Sequence, residues 1–415
     1  MDDRLLPALT LTQQFLCPGH SRPIDRAVHL SRLAAFDPAC LACPERQDTV
    51  GLTSLVIAAR AKVERRATSG WQWTTAGLVT SERGELDREL PRQFAFAVAD
   101  FLWCTEHTRP SVHVGASDSR YASELLAATC HALELAGCDA CEVGEVSEPC
   151  LAAGVAHAHA SGGIWIGNAS GQEHELAMRG IGRAGVPWSD PGTLSEVKSR
   201  LAAGAVRPRR AGGSLRRFDA AAYYLPHFRD TFHGLRALEF VLHSANASLS
   251  AYLNALSADT ALRVRCAAQS RQLAVFEATG DWLAAELSTV RREVVLSGAH
   301  FGLWVDVAAE RCMLVDECGQ IVAHDRLARL LDSVISATRS EPCPATSAHD
   351  DVTHEEIGRR MLTERAAVAS DGRGCYWFPD HATPDALAVL CTLLSLLSRS
   401  DRPLSEVLDA AVRTL

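Results

Sequence analysis

Two periodicities of apolar and polar positions alternate along the chain. ELPRQFAFAVADFLWC (89–104) carries apolar residues at helical spacing, and SELLAATCHALELAG (123–137) repeats the pattern before a terminating glycine. SVHVG (111–115), CEVGEV (141–146) and GGIWIG (162–167) predict short strands. The pattern restarts at LEFVLHS (238–244), followed by a helix around 249–257 and a strand within LRVRCA. FGLWVDVAAERCMLVDECGQIV (301–322) predicts two strands about a tight turn. A last unit runs from the helix EEIGRRMLTER through GCYWF to ALAVLCTLLSLLS (386–398), a run shorter than the roughly 20 residues of a membrane span and therefore a buried helix. Strands alternating with helices at this spacing predict an α/β layer fold of about three units in series.

Length and composition narrow this picture. A chain of 415 residues exceeds one compact core, so roughly two to four domains are expected. The net charge of −9 argues against nucleic acid or an anionic membrane surface as the main partner. RPRRAGGSLRR (207–217), rich in arginine around a Gly-Gly pair, reads as a solvated interdomain linker. The N-terminus, MDDRLLPALTLTQQFLC, has no basic stretch before its apolar residues and so does not read as a secretory signal. Together with 14 cysteines this predicts a reducing, cytoplasmic setting.

Within residues 1–62, CPGH and CLAC place Cys17 with His20 and Cys40 with Cys43, each pair three positions apart. Three thiolates and one imidazole suit a tetrahedral zinc ion, and a closed shell of four protein donors predicts a structural site. His29 is an alternative ligand. Cys138 and Cys141 form another CxxC, but in an apolar helix-to-strand passage where packing is the expected role.

Candidate chemistry begins at GGIWIGNASGQEHEL (162–176), a strand followed by a polar loop with a single serine. Its frame and the order of the later motifs resemble the α-D-phosphohexomutase superfamily, the phosphoglucomutases and phosphomannomutases, over roughly residues 70–410. The resemblance implies four domains around one cleft. It also implies transfer of a phosphoryl group between two sugar positions through a phosphoserine, with Mg2+. The family's T-A-S-H-N-P loop follows a Gly-Gly strand and precedes N-G-I-K. Here Gly162, Gly163, Ile164 and Ile166 match before it, and Met178, Arg179, Gly182, Gly185 and Pro187 match after it. In that register Ala169 occupies the nucleophile position and Ser170 falls one place later. Misplacement by about 1 Å costs a phosphoryl acceptor on the order of a hundredfold.

Other motifs depart in the same direction. The family's metal loop, D-G-D-x-D-R, resembles DVAAER, which offers Asp306 and Glu310 for Mg2+, puts Ala308 at the middle ligand and Val307 at the turn glycine, and keeps Arg311. The sugar-binding G-E-x-S-G-H resembles SDGRGC (370–375), with Asp371 and Arg373 as candidate substrate contacts and Cys375 at the histidine. The entry motif G-T-S-G-x-R resembles TTAGLV (74–79) without its arginine. The chain ends after RPLSEVLDAAVRTL, where the resemblance expects a fourth domain whose loop holds the substrate's non-reacting phosphate.

The expectation is therefore an α/β protein of three consecutive α/β/α mutase-like domains with mixed sheets, preceded by a small zinc-binding-like N-terminal region. The domains are placed at 1–62, 63–206, 207–312 and 313–415, with the fourth mutase domain absent. The preferred function is a phosphohexomutase homologue with impaired catalysis that binds a hexose phosphate or a protein partner in the old cleft. The alternatives are an active mutase using Ser170, Asp306 and Glu310, and a scaffold that pairs with an intact mutase paralogue. For the N-terminal region, replacing Cys17 and Cys40 with serine is expected to remove about one equivalent of zinc. Metal analysis of the two purified proteins checks this, and a difference below about half an equivalent overturns it.

Overall fold

The computed structural model describes residues 14–16, 22–34, 43, 45, 51–53, 56–57, 71–80, 89–168, 176–203, 212–267, 282–337, 346–347, 352–364 and 366–413. The chain divides into two compact units, residues 1–70 and 71–415. In the first, strands Gln14–Phe15 and Ile24–Asp25 pair antiparallel, and helix Arg26–Ala34 follows. Asp25 Oδ1 accepts from Val28 N at 2.8 Å and satisfies one of that helix's free N–H groups.

The second unit opens on a mixed seven-stranded sheet. Its order is Gln72–Trp73, Leu78–Thr80, Leu176–Gly182, Gly162–Asn168, Ser111–Ala116, Asp139–Glu145 and Leu215–Arg217. The last four strands run parallel, and Leu176–Gly182 pairs antiparallel with Gly162–Asn168. The alternation in GGIWIG separates two cores. Ile164 and Ile166 face helices Glu89–Thr105, Arg120–Leu135 and Thr193–Ala202, whereas Trp165 faces helix Glu148–His157. Gly167 is required here, because a Cβ on it would lie 2.1 Å from the Trp165 ring.

One expectation is corrected in this sheet. The second half of the supposed linker, Leu215–Arg217, is an edge strand paired with Ala140–Glu142. Its side chains are exposed, which made it read as solvated, but its backbone is anchored by Ser214, whose N–H and hydroxyl both donate to Asp139 Oδ1.

The second sheet has the order Arg263–Cys266, Glu239–Ser244, Phe301–Val305, Cys312–Asp316, with only the last pair antiparallel. That hairpin encloses residues 306–311, so a boundary at 312/313 would cut through paired strands. Helix Trp282–Ser297 covers one face through Leu287, Val290 and Val294. A small third sheet, Thr346–Ser347, Ala369–Ser370 and Tyr376–Trp377, carries helix His354–Glu364.

One apolar core runs from the back of the first sheet, through Tyr224 and Phe228, to the second sheet and helices His324–Ala337, Ala386–Ser398 and Leu404–Arg413. Helix Ala386–Ser398 is buried nearly all round, as its length and composition predicted. Among the described residues no helix is long and apolar enough to cross a membrane.

Two carboxylates hold these pieces in register. Glu355 accepts from the N–H groups of Ser189 and Thr193 at 2.9 and 3.0 Å, tying helix His354–Glu364 to the start of helix Thr193–Ala202. Asp385 caps the apolar helix by accepting from Leu387 N and Ala388 N, while its other oxygen accepts from the Tyr224 hydroxyl at 2.9 Å. Asp385→Ala removes a cap and leaves a buried hydroxyl unpaired, a loss of about 2–4 kcal/mol by the usual size of each term. Chemical denaturation is expected to show that loss, with Asp385→Asn losing less than about half of it because an oxygen acceptor remains.

Candidate functional site

Residues 306–311 form a largely buried loop held from three sides. Asp306 Oδ1 accepts from Glu310 N and Arg311 N at 2.9 and 3.1 Å, which closes the turn. The carbonyls that then point outward each meet a different part of the molecule. Val307 O accepts from Asn246 Nδ2 at 2.6 Å, Ala308 O from Glu148 N at 3.1 Å, and Ala309 O from Ala386 N at 3.0 Å. The strained residue is Ala309, at φ 62°, and not Val307, whose β-branched side chain is simply buried.

The loop delivers Glu310 to Arg179. The Arg179 guanidinium lies 2.6 Å from Glu310 Oε2 and also pairs with Glu148 Oε2 through the same nitrogen. Glu148 stands in the first turn of its helix, beside the capping Ser147, and its side chain is fully buried. Each glutamate's second oxygen, Oε1, is buried and has no hydrogen-bond partner among the described residues. Burial raises the Glu148 carboxyl, Arg179 opposes that, and Glu310 and Asp306 add to it, bringing it to about 8. Asp306 is raised to about 6 by burial and then by Glu310. Burial acts to lower the Arg179 guanidinium, but Glu148 and Glu310 push it up by more, so it remains charged.

This arrangement does not fit Mg2+. An octahedral magnesium site needs oxygen donors converging at about 2.0–2.1 Å with room for water. Here Ala308 supplies no side-chain donor, one Asp306 oxygen serves the turn, and Glu310 binds a guanidinium. Among the described residues, Glu148, Asp306 and Glu310 do not bring their oxygens within mutual ligand distance.

A second cluster lies where the entry and sugar-binding resemblances meet. A cavity of about 270 Å³ is lined by Thr75 and Ala76 from TTAGLV, Asp371 and Arg373 from SDGRGC, and by Asp190 and His354. Gly374, at φ 104°, lets the loop dock on the metal-loop hairpin, since a Cβ there would lie 2.8 Å from Cys312 O. Cys312 N donates to Gly374 O at 2.9 Å, and Arg311 and Cys375 form a backbone bridge. Asp371 Oδ1 accepts from Arg373 N and Cys375 N, and Oδ2 lies 3.5 Å from His354 Nε2. Burial would raise Asp371, but the contacts with His354 and with the two N–H groups overcome it and hold the carboxyl at about 2.

The sequence candidates therefore fall into groups. Asp306 and Glu310 meet in one network, and Asp371 and Arg373 share the cavity, with Arg311 between the two. Ala169 and Ser170 lie outside the described residues, as do Cys17, His20 and Cys40. Cys43 is buried, and His29 is buried and stacked on Phe15 with ring centroids 4.0 Å apart. Sequence reasoning missed Glu148, which looks like an ordinary first-turn acid, and His354, which looks like an ordinary helix start. Arg179 was noted as a flank match, with no hint of its two partners.

Comparison with known proteins agrees with this geometry. Residues 72–175 match the family model for phosphoglucomutase/phosphomannomutase, alpha/beta/alpha domain I. The chain is 26% identical over 362 residues to phosphoglucosamine mutase of Arthrobacter sp. (strain FB24), covering 80% of this chain and 79% of the relative. A putative phosphomannomutase from Thermus thermophilus shares the fold with TM-score 0.68 at 16% identity, covering 83% of each chain. A phosphoglucomutase/phosphomannomutase family protein from Burkholderia thailandensis does so with TM-score 0.67 at 18% identity, covering 81% of this chain and 78% of that one. With the α/β architecture and the loop order already described, the domain I match and the mutase relatives support the resemblance to the phosphohexomutase superfamily, and the solved structures share its fold.

Proposed function

We propose that this phosphohexomutase homologue binds a hexose phosphate in the cavity between the loops at 75–76 and 371–373 and does not run the mutase reaction at ordinary rates. The observation that carries this reading is the double ion pair of Arg179. At the position where the family resemblance puts a lysine beside the phosphoserine loop, Arg179 is held by Glu148 and Glu310, and Glu310 is the carboxylate that would face the metal. A phosphoryl group carries its negative charge into that region, and catalysis requires cations free to meet it. A guanidinium held by Glu310 and by the buried Glu148 is not free.

The cavity retains the groups a sugar phosphate needs. Arg373 and His354 offer positive charge or N–H donors, and Asp371 and Asp190 offer acceptors for hydroxyl groups. A cytoplasmic setting suits this reading, since the described cysteines are free thiols. If the chain does turn over, it is an intramolecular phosphotransferase acting through Ser170.

Two experiments follow. Incubation with a hexose 1,6-bisphosphate and Mg2+ is expected to leave Ser170 unphosphorylated by mass spectrometry and to give no mutase turnover; stoichiometric phosphoserine would reverse the reading. Glucose, mannose or glucosamine phosphates are expected to raise the melting temperature, by about 2.7 kcal/mol of stabilisation at a hundredfold excess over Kd. Arg373→Ala should abolish that rise, and indifference of the unmodified chain to every hexose phosphate would sink the binding role.

The charge balance of the Arg179 network gives a second prediction. Glu148 and Asp306 are raised above their ordinary values, so their contribution to stability is complete below about pH 4 and is lost as pH climbs through about 6 and then about 8. Glu148→Gln mimics the protonated acid and removes the later part of that loss. The variant is expected to gain on the unmodified chain by ~2–4 kcal/mol between pH 5 and pH 9, read from urea midpoints. A difference that stays constant over that range contradicts the assignment.

A further inference from the structure

We infer that His354, Asp371 and Cys375 form a binding site for a soft divalent cation such as zinc, at the inner end of the cavity lined by His354 and Asp371. One ligand atom from each of the three lies within 4.8 Å of the other two. Two donors of a tetrahedral zinc ion stand about 3.3–3.8 Å apart, given bonds of about 2.0–2.3 Å. The 3.5 Å between His354 Nε2 and Asp371 Oδ2 already falls in that range, so closure requires only that the Cys375 sulfur approach by about 1 Å or less.

The donors are also held in place. Asp371 is fixed through Oδ1 by two backbone N–H groups, which leaves Oδ2 directed at His354. The His354 ring packs edge-on against Trp377 at 4.9 Å. Cys375 is fixed by its backbone bridge to Arg311, and its side chain is almost wholly buried. Such outer contacts orient metal ligands.

The chemistry of the set points to zinc over magnesium. One thiolate, one imidazole and one carboxylate suit a borderline-soft ion, whereas magnesium takes oxygen. Binding releases the thiol proton to solvent, and the thiolate and carboxylate then neutralise the ion's two charges. The nearby Arg311 therefore faces a neutral complex. Three protein ligands leave a fourth position toward the cavity, open to water or to an oxygen of a bound ligand.

The plainer description is a His354–Asp371 ion pair beside a buried thiol, and metal counting distinguishes the two. The full chain, stripped with a chelator, reloaded with zinc and desalted, is compared with Cys375→Ser, His354→Gln and Asp371→Asn. Each variant is expected to hold about one equivalent less than the unmodified chain, whatever the N-terminal cysteines bind, since only the difference is read. Cobalt in place of zinc should give the unmodified chain a thiolate charge-transfer band that is weaker in Cys375→Ser. Equal metal counts in the unmodified chain and His354→Gln overturn the proposal, as does a loss confined to Cys375→Ser. Should Cys375→Ser fail to fold, His354→Gln carries the test, because its ring is partly exposed and outside the core. The hexose phosphate melting shift is measured without zinc, so the two readings fail separately.

Discussion

The rest of the second unit is organised around the need to satisfy a buried loop. Residues 307–310 are buried, and a buried backbone carbonyl without a partner costs on the order of 1–3 kcal/mol. Three consecutive carbonyls of this loop are satisfied by Asn246, Glu148 and Ala386, which stand at the starts of three different helices around one apolar core. The same contact that gives Ala308 O its donor brings the Glu148 side chain toward Arg179, and the turn that closes on Asp306 brings Glu310 there. Backbone satisfaction and charge pairing are thus one constraint, and moving any of these elements breaks both.

Much of the local architecture was legible in the sequence because it is local. The alternation of Ile164, Trp165 and Ile166 fixed which side chain met which core, and the length of 386–398 separated a buried helix from a membrane span. Gly137, at φ 86°, ends its helix where expected. The edge strand at 215–217 was hidden because exposed arginines on an edge look like a linker when the backbone pairing is out of view. The α/β class followed from the periodicities; the pairing of 312–316 with 301–305 needed the structure.

The candidate site divides the same way. Asp306 and Glu310 were legible because the family resemblance puts them at the two ends of its metal loop, a motif contained in one short stretch of sequence. Their actual use was not, because Arg179 is 131 residues from Glu310 and 31 from Glu148. His354 and Asp371 are brought together by the small third sheet and the helix packed on it. No short-range signal carries such information: a first-turn glutamate, a flanking arginine and a helix-start histidine are common on any surface. Ser170, the most conspicuous candidate in the sequence, lies outside the described residues, as do Cys17, His20 and Cys40.

The energetic consequence for phosphoryl transfer follows from pairing charges in the ground state. A transition state is favoured only by interactions stronger there than before reaction. For Arg179 to meet a transferring phosphoryl group it would have to leave Glu148 and Glu310, and parting a buried pair costs about 3–5 kcal/mol because it strands the remaining charge. That alone corresponds to about two to four orders of magnitude in rate. Below about pH 8 Glu148 carries its proton, which lowers the cost only in part, since Glu310 still holds the same guanidinium nitrogen.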